Sequence, residues 1–169
     1  MTRALIVLEC GPALTVQDRG RDGLLDQGVS HGGAADPVAL TEGAALLRQS
    51  PDLAALELAG LGGSFEAAED IRIALTGAPM QASIDGEAIS WNASHLLPKG
   101  ARLSIGAVRQ GSYGYLHLGG GIDVPEVLGS RSTHLAAGLG RALKPGDRMP
   151  VGADRADETG LTLDAEPRF

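Results

Sequence analysis

The chain has 169 residues, with 14 Lys and Arg against 21 Asp and Glu for a net charge of −7, a length that suits one sizeable hydrophobic core rather than two. No basic cluster of the kind that neutralises a phosphate backbone is present, so no nucleic acid partner is expected. The single cysteine, Cys10, excludes an internal disulfide framework and a multi-cysteine zinc site, and aromatics at 3% beside 25 glycines leave Ala, Leu, Ile and Val to build the core between tight turns.

In chain order, the apolar run 4–8 stops at Glu9, too short for a signal peptide or a membrane span, and reads as a buried first strand. A cytoplasmic location is the corresponding expectation. The next segment places Gln17, Asp18, Arg19 and Arg21 together. Asp18 could orient an arginine toward an anion; the alternative is an exposed ion pair worth only about 0–1 kcal/mol. A glycine-rich loop, 28–36, then carries His31, which could serve in acid-base chemistry or stand exposed and idle. It leads into a helix expected over 37–49, with Asp36 capping the free amides and Pro37 in the first helical position. Gly43 weakens that helix by about 1 kcal/mol relative to Ala, and Pro51 bars its continuation.

Short apolar runs follow at 54–58, 71–76, 82–84, 87–91, 102–105 and 113–118, each bounded by turn residues. Their spacing predicts a meandering sheet or barrel rather than alternating βαβ units. Asp85-Gly86 supplies the two positive φ angles of a primed hairpin turn within 80–91.

Gly119, Gly120 and Gly121 come directly after the last run, but Val124 stands where a dinucleotide fingerprint needs its third glycine. Neither Lys99 nor Lys144 has the context of a P-loop, so the triplet reads as a turn where backbone approaches backbone. Further on, Gly129-Ser-Arg-Ser-Thr133 gathers hydroxyls around one guanidinium. Arg131 could clamp a carboxylate or carboxyphosphate with Ser130, Ser132 and Thr133 as flanking donors, or these residues could form a solvated turn. The spacing alone leaves both open. The four histidines form no metal-ligating pair, so no metal is expected, and no Gly-x-Ser-x-Gly segment exists. Residues 152–169 are charged and aperiodic and are expected to be a mobile tail on a domain spanning 1–151.

Eleven short segments between residues 11 and 147 together resemble one family. They are Gly11-Pro, Thr15-Val-Gln-Asp-Arg-Gly-Arg21, Gly28-Val, Gly33-Ala-Ala-Asp36, Ala55-Leu-Glu57, Ala74-Leu-Thr-Gly-Ala78, Asp85-Gly86, Gly119-Gly-Gly-Ile-Asp-Val-Pro125, Leu128-Gly-Ser-Arg-Ser-Thr133, Gly140-Arg141 and Lys144-Pro-Gly-Asp147. The family is allophanate hydrolase subunit 2, or KipA, which includes the carboxyltransferase-like domain of urea amidolyase and the C subunit of 5-oxoprolinase. The resemblance implies a mainly β, cyclophilin-like barrel with one principal helix. It also implies a role beside a KipI-like partner (allophanate hydrolase subunit 1 type) in ATP-dependent opening of 5-oxoproline or carboxyl transfer to urea. ATP would belong to the complex, the substrate would be a small amide or carboxylate, and no biotin is expected on this chain. The residues then singled out are His31, Asp18 and Arg131 for catalysis, with Gln17, Arg21, Ser130, Ser132, Thr133 and Arg141 for the anion. Asp36, Gly119, Gly120, Gly121 and Asp123 are assigned to support. Ser30, Gly32 and Ala35 depart from the Pro, Ser and Met of the family pattern, and family members carry a second half that this chain lacks. The alternative reading is therefore a shortened, non-catalytic interaction or regulatory module.

Overall fold

Short runs with alternate apolar residues can bury only one face, and stacking two sheets over a shared core satisfies them all. The computed structural model describes residues 2–164 and 168. In chain order the elements are β1 (Ala4–Cys10), β2 (Leu14–Gln17), α1 (Pro37–Leu47), β3 (Ala55–Ala59), β4 (Gly63–Ala67), β5 (Ile71–Gly77), β6 (Met80–Ile84), β7 (Glu87–Ile89), β8 (Ala93–Leu97), β9 (Arg102–Val108), β10 (Tyr113–Leu118) and β11 (Arg148–Pro150). One sheet has the order β11-β1-β4-β9-β6-β7 and the other β2-β3-β10-β5-β8, with antiparallel pairing throughout. Leu5, Val7, Phe65 and Leu103 from the first sheet meet Leu56, Ile73, Leu75 and Leu116 from the second in the main core. The fold is mainly β with one principal helix.

Every expected run forms a strand, and the Asp85-Gly86 turn takes φ angles of 48° and 85°. Strands β2, β4, β8 and β11 lie outside those runs. In β4, Gly-Ser-Phe-Glu-Ala, Phe65 is the one large apolar residue, yet it pairs with Val7 on one side and Leu103 on the other. Tertiary pairing makes that strand, since its own composition does not.

Helix α1 begins as expected, with Asp36 Oδ1 accepting from the Ala39 amide at 3.1 Å. It ends at Leu47 because Arg48 turns left-handed, φ 49°, and the Gln49 amide reaches back to the Ala44 carbonyl at 3.0 Å. The helix covers the outer face of the five-stranded sheet, where Ala39 and Leu40 meet Ala55 and Tyr115, and Leu46 and Leu47 meet Ala74. That sheet face also buries Thr76 and His117. The Thr76 hydroxyl donates to the Ala39 carbonyl at 2.9 Å, so its 2.7 Å contact with His117 Nε2 makes the imidazole nitrogen the donor. Burial lowers the His117 pKa from 6.5 to about 3, and the ring is held neutral.

Two glycine positions have steric causes. A Cβ on Gly43 would stand 2.2 Å from the His117 ring, so the helix can approach the sheet only at a glycine. A Cβ on Gly120, φ 96°, would meet the Gly152 carbonyl at 2.2 Å, which makes the glycine triplet a close-packed turn as expected.

Residues 152–164 do not match the expectation of a free tail, and 165–167 and 169 of that expected tail lie outside the described residues. Arg72 holds the 152–164 segment through Asp154, at 2.8 and 2.6 Å, and through the Glu158 carbonyl at 2.8 Å. The Leu161 carbonyl accepts from the Ser94 amide, the Leu163 amide donates to the Asn92 carbonyl, and Leu161 and Leu163 pack against Leu46, Leu47 and Ala74. Composition missed this because the anchors are backbone groups and one buried arginine far away in sequence.

Two outcomes follow from this helix-sheet contact. Gly43→Ala gains about 1 kcal/mol of helix propensity, yet should destabilise the protein by about 1–3 kcal/mol in denaturant titration, because the methyl overpacks against His117. His117 has a folded pKa below its unfolded value, so the unfolded state takes up its proton first and stability should fall as pH drops from 6.5 toward about 3. In His117→Gln the part of that slope due to the imidazole should vanish, whatever the variant's absolute stability; an unchanged slope would exclude His117 as its source.

Candidate functional site

Strand β2 ends at Gln17, and the 130–133 segment runs alongside it, with the Thr133 amide donating to the Val16 carbonyl at 2.9 Å. Asp18 is the next residue and is buried. Its Oδ1 accepts from Ser130 Oγ at 2.5 Å, Ser132 Oγ at 2.6 Å and the Gly20 amide at 2.9 Å, and its Oδ2 accepts from the Arg131 amide at 2.7 Å. The Asp18 amide in turn donates to Ser132 Oγ at 2.9 Å. Burial alone would raise this carboxyl's pKa, but the bonds from Ser130, Ser132, Gly20 and Arg131 outweigh it and leave the pKa lowered. The carboxylate is a fixed anion that accepts four hydrogen bonds from within the chain.

The anion that Ser130 and Ser132 bind is therefore Asp18 itself. The expectation sets Asp18 and the two serines toward a substrate, whereas in the structure the serine hydroxyls donate to Asp18. Gln17 Nε2 donates to the Thr133 carbonyl and to Thr15 Oγ1, both at 3.1 Å, and ties the segments together.

Arg131 is also committed internally. Its Nε donates to the Val124 carbonyl at 2.8 Å, and its other nitrogens reach Glu126 at 2.8 Å and Asp123 at 3.3 Å. Asp123 is thus the counter-ion of Arg131. Arg141 pairs with Asp147 at 2.7 and 2.9 Å, and mainly that bond lowers the Asp147 pKa to about 2. Arg21 is nearly inaccessible; it donates from Nε to the Val127 carbonyl at 2.9 Å and from Nη2 to the Ser130 carbonyl at 3.3 Å. Arg21, Arg131, Arg141, Ser130, Ser132 and Thr133 all line one cavity of 230 Å³. His31 does not line it; the imidazole is exposed, with Nδ1 3.0 Å from Asp22.

Nucleotide chemistry finds no fit at the glycine triplet. The Gly119 amide donates to the Arg72 carbonyl, Gly120 to Gln49 Oε1 and Gly121 to the Leu118 carbonyl, so no amide is left to cradle a phosphate. Among the described residues, no group of three or more His, Cys, Asp and Glu side chains could hold a metal ion, and no helix is long and apolar enough to cross a membrane.

Sequence reasoning missed a second buried polar group, under the start of α1. Tyr115 donates to Glu57 at 2.6 Å and accepts from the Asp36 amide at 2.8 Å, and Glu57 also accepts from the Ala35 amide at 2.8 Å. Burial, reinforced by the Glu57 bond, raises the Tyr115 pKa above its ordinary value and keeps the phenol a donor. The available signal was an acidic residue at the centre of the apolar strand Ala-Leu-Glu-Leu-Ala.

Residues 27–168 match the sequence model of the carboxyltransferase domain, subdomain A and B, and the chain belongs to that family. It is 40% identical over 158 residues to the 5-oxoprolinase C subunit of Escherichia coli (strain K12), a match that covers 90% of this chain and 51% of the relative. The crystal structure of TTHA0988 superposes with a TM-score of 0.93 at 31% identity, covering 98% of this chain and 34% of that one. The crystal structure of the K. lactis urea amidolyase gives 0.84 at 31% identity, over 98% of this chain and 11% of that one. The chain thus spans about half the length of the 5-oxoprolinase subunits it matches.

Asp18→Ala should cost about 3 kcal/mol or more in thermal or denaturant unfolding, since it strips the charged acceptor from a buried group of donors. The folded pKa of Asp18 lies below its unfolded value, so its contribution is complete above about pH 4 and is lost as pH falls through the folded pKa. Wild-type stability should therefore keep falling below about pH 4, and that part of the fall should shrink in Asp18→Asn.

Proposed function

We propose that this chain supplies the subdomain A and B part of an ATP-dependent complex of the 5-oxoprolinase or urea-amidolyase type, together with a KipI-like partner. The observation that carries this reading is the cavity walled by Arg21, Arg131 and Arg141, built by the Asp18-centred loop in a chain 40% identical to a 5-oxoprolinase subunit. Opening a cyclic amide and transferring a carboxyl group both handle a small planar amide and develop negative charge on oxygen. Preorganised guanidinium and amide donors stabilise such charge without reorganising during the reaction. Within this assignment Asp18 is a positioning residue: its carboxylate fixes the Arg131 backbone and the loop whose carbonyls hold Arg21. Arg131 positions the segment carrying Asp123 and Glu126. ATP belongs to the complex in this reading, and the glycine turn of this chain offers it no free amide.

One observation favours the alternative of a non-catalytic module. The Ser130 and Ser132 hydroxyls both donate to the Asp18 carboxylate and are engaged within the chain. A coupled assay separates the two readings. The chain mixed with a KipI-like protein should hydrolyse ATP in response to 5-oxoproline, and neither component alone should do so. Arg131→Ala should lower that turnover by about tenfold or more through misplacement of the loop. A stable mixed complex without 5-oxoproline-dependent ATP hydrolysis would establish the module instead.

A further inference from the structure

Two buried side-chain polar atoms among the described residues lack a hydrogen-bond partner, and both lie on the segment leaving β2: Gln17 Oε1 and Arg21 Nη1. Gln17 does not line the cavity, and its free atom is an acceptor. Arg21 does line it, and its free atom is a donor on a cation. At 3% exposure the guanidinium has lost its hydration, and a buried charge without a counter-charge is strongly unfavourable. Its partners are two neutral carbonyls, Val127 and Ser130. The other two cations of the wall have their charges answered within the chain, Arg131 by Asp123 and Glu126 and Arg141 by Asp147. Arg21 forms no ion pair with any described residue. Val16, Val124, Leu143 and Met149 supply apolar wall around it.

We infer that this cavity is a subsite for a small planar oxyanion, a carboxylate or bicarbonate, whose charge is met by Arg21 and not by Arg131. The planar fork of a guanidinium matches two coplanar oxygens, and apolar walls strengthen the attraction by excluding water. At 230 Å³ the cavity lies below the range of about 300–1,000 Å³ typical of drug-sized and cofactor sites, so it suits an anion of few heavy atoms and not a nucleotide. The Val127–Ser130 turn sits at this wall, with Leu128 at φ 54° and Gly129 at φ 79°, and Arg21 holds the carbonyls at both of its ends. Anion binding would thereby complete the coordination of a residue that already organises the loop. The inference deepens the reading of the function given above and rests on it only for the identity of the natural anion; the binding itself is a property of this chain.

The test titrates the chain alone with sodium acetate, sodium bicarbonate and 5-oxoproline at constant ionic strength, following the arginine Nε–H resonances by NMR. The expected result is a saturable shift at Arg21, with Arg131 and Arg141 nearly unmoved and the stronger of the acetate and bicarbonate responses naming the natural class. Arg21→Met should weaken binding by about tenfold or more, whereas Arg109→Met, which removes an exposed guanidinium outside the cavity, should leave it nearly unchanged. Absence of a saturable Arg21 response in the wild-type chain overturns the inference, as does equal loss of binding in Arg109→Met. The wild-type titration needs no substitution, so a misfolded Arg21→Met leaves the test intact. Binding without activity in the reconstituted complex would count against the proposed function alone; activity without binding would count against the subsite alone.

Discussion

The candidate site depends on one buried carboxylate. Asp18 gathers two hydroxyls and two backbone amides, and three of those donors come from residues more than a hundred positions further along the chain. An anion withdrawn from water must be met by donors, and here the donors are the loop itself. Ser130 and Ser132 turn inward to reach it. Their inward turn sets the path of the Arg131 backbone, and the same loop presents the Val127 and Ser130 carbonyls to Arg21. The loop around the cavity is thus shaped by a charge that never reaches the cavity's contents.

A second polar layer fixes the helix. The five-stranded sheet shows apolar side chains to the core and a row of Glu57, Tyr115, Thr76 and His117 to α1 and the loop before it. Apolar burial would hold a helix here in several registers, whereas bonds to the Asp36 amide and the Ala39 carbonyl accept only one. Gly43 belongs to the same arrangement, because the His117 ring occupies the space its side chain would fill. The helix is placed by polar geometry and kept close by a missing methyl.

These two layers explain how charge is distributed in a chain with a surplus of acid. Of the cavity's three arginines, Arg131 and Arg141 are neutralised locally and Arg21 is answered, among the described residues, by carbonyls alone. The walls of the cavity are held by bonds within the chain itself. Within the chain the Ser130 and Ser132 hydroxyls serve the scaffold by donating to Asp18.

Much of the fold was legible in the residues themselves. Alternating apolar runs, an Asp-Pro helix start and an Asp-Gly turn are local signals, and local physics settles them within a few residues. Strand β4 was hidden because one phenylalanine cannot announce a strand whose partners lie on both sides of it, and the segment after 151 was hidden because Arg72 and backbone carbonyls hold it. The candidate site was legible as a list: Asp18, Arg21, Ser130, Arg131 and Arg141 do come together. Their roles were not, since a donor's role depends on which acceptor the fold delivers to it. By itself the sequence determined the main apolar strands, the helix cap, the primed turn and the failure of the dinucleotide fingerprint and the P-loop. Only the tertiary structure decided that Asp18 would engage the serines and that Arg21 would have no counter-ion among the described residues, because those pairings join segments more than a hundred residues apart.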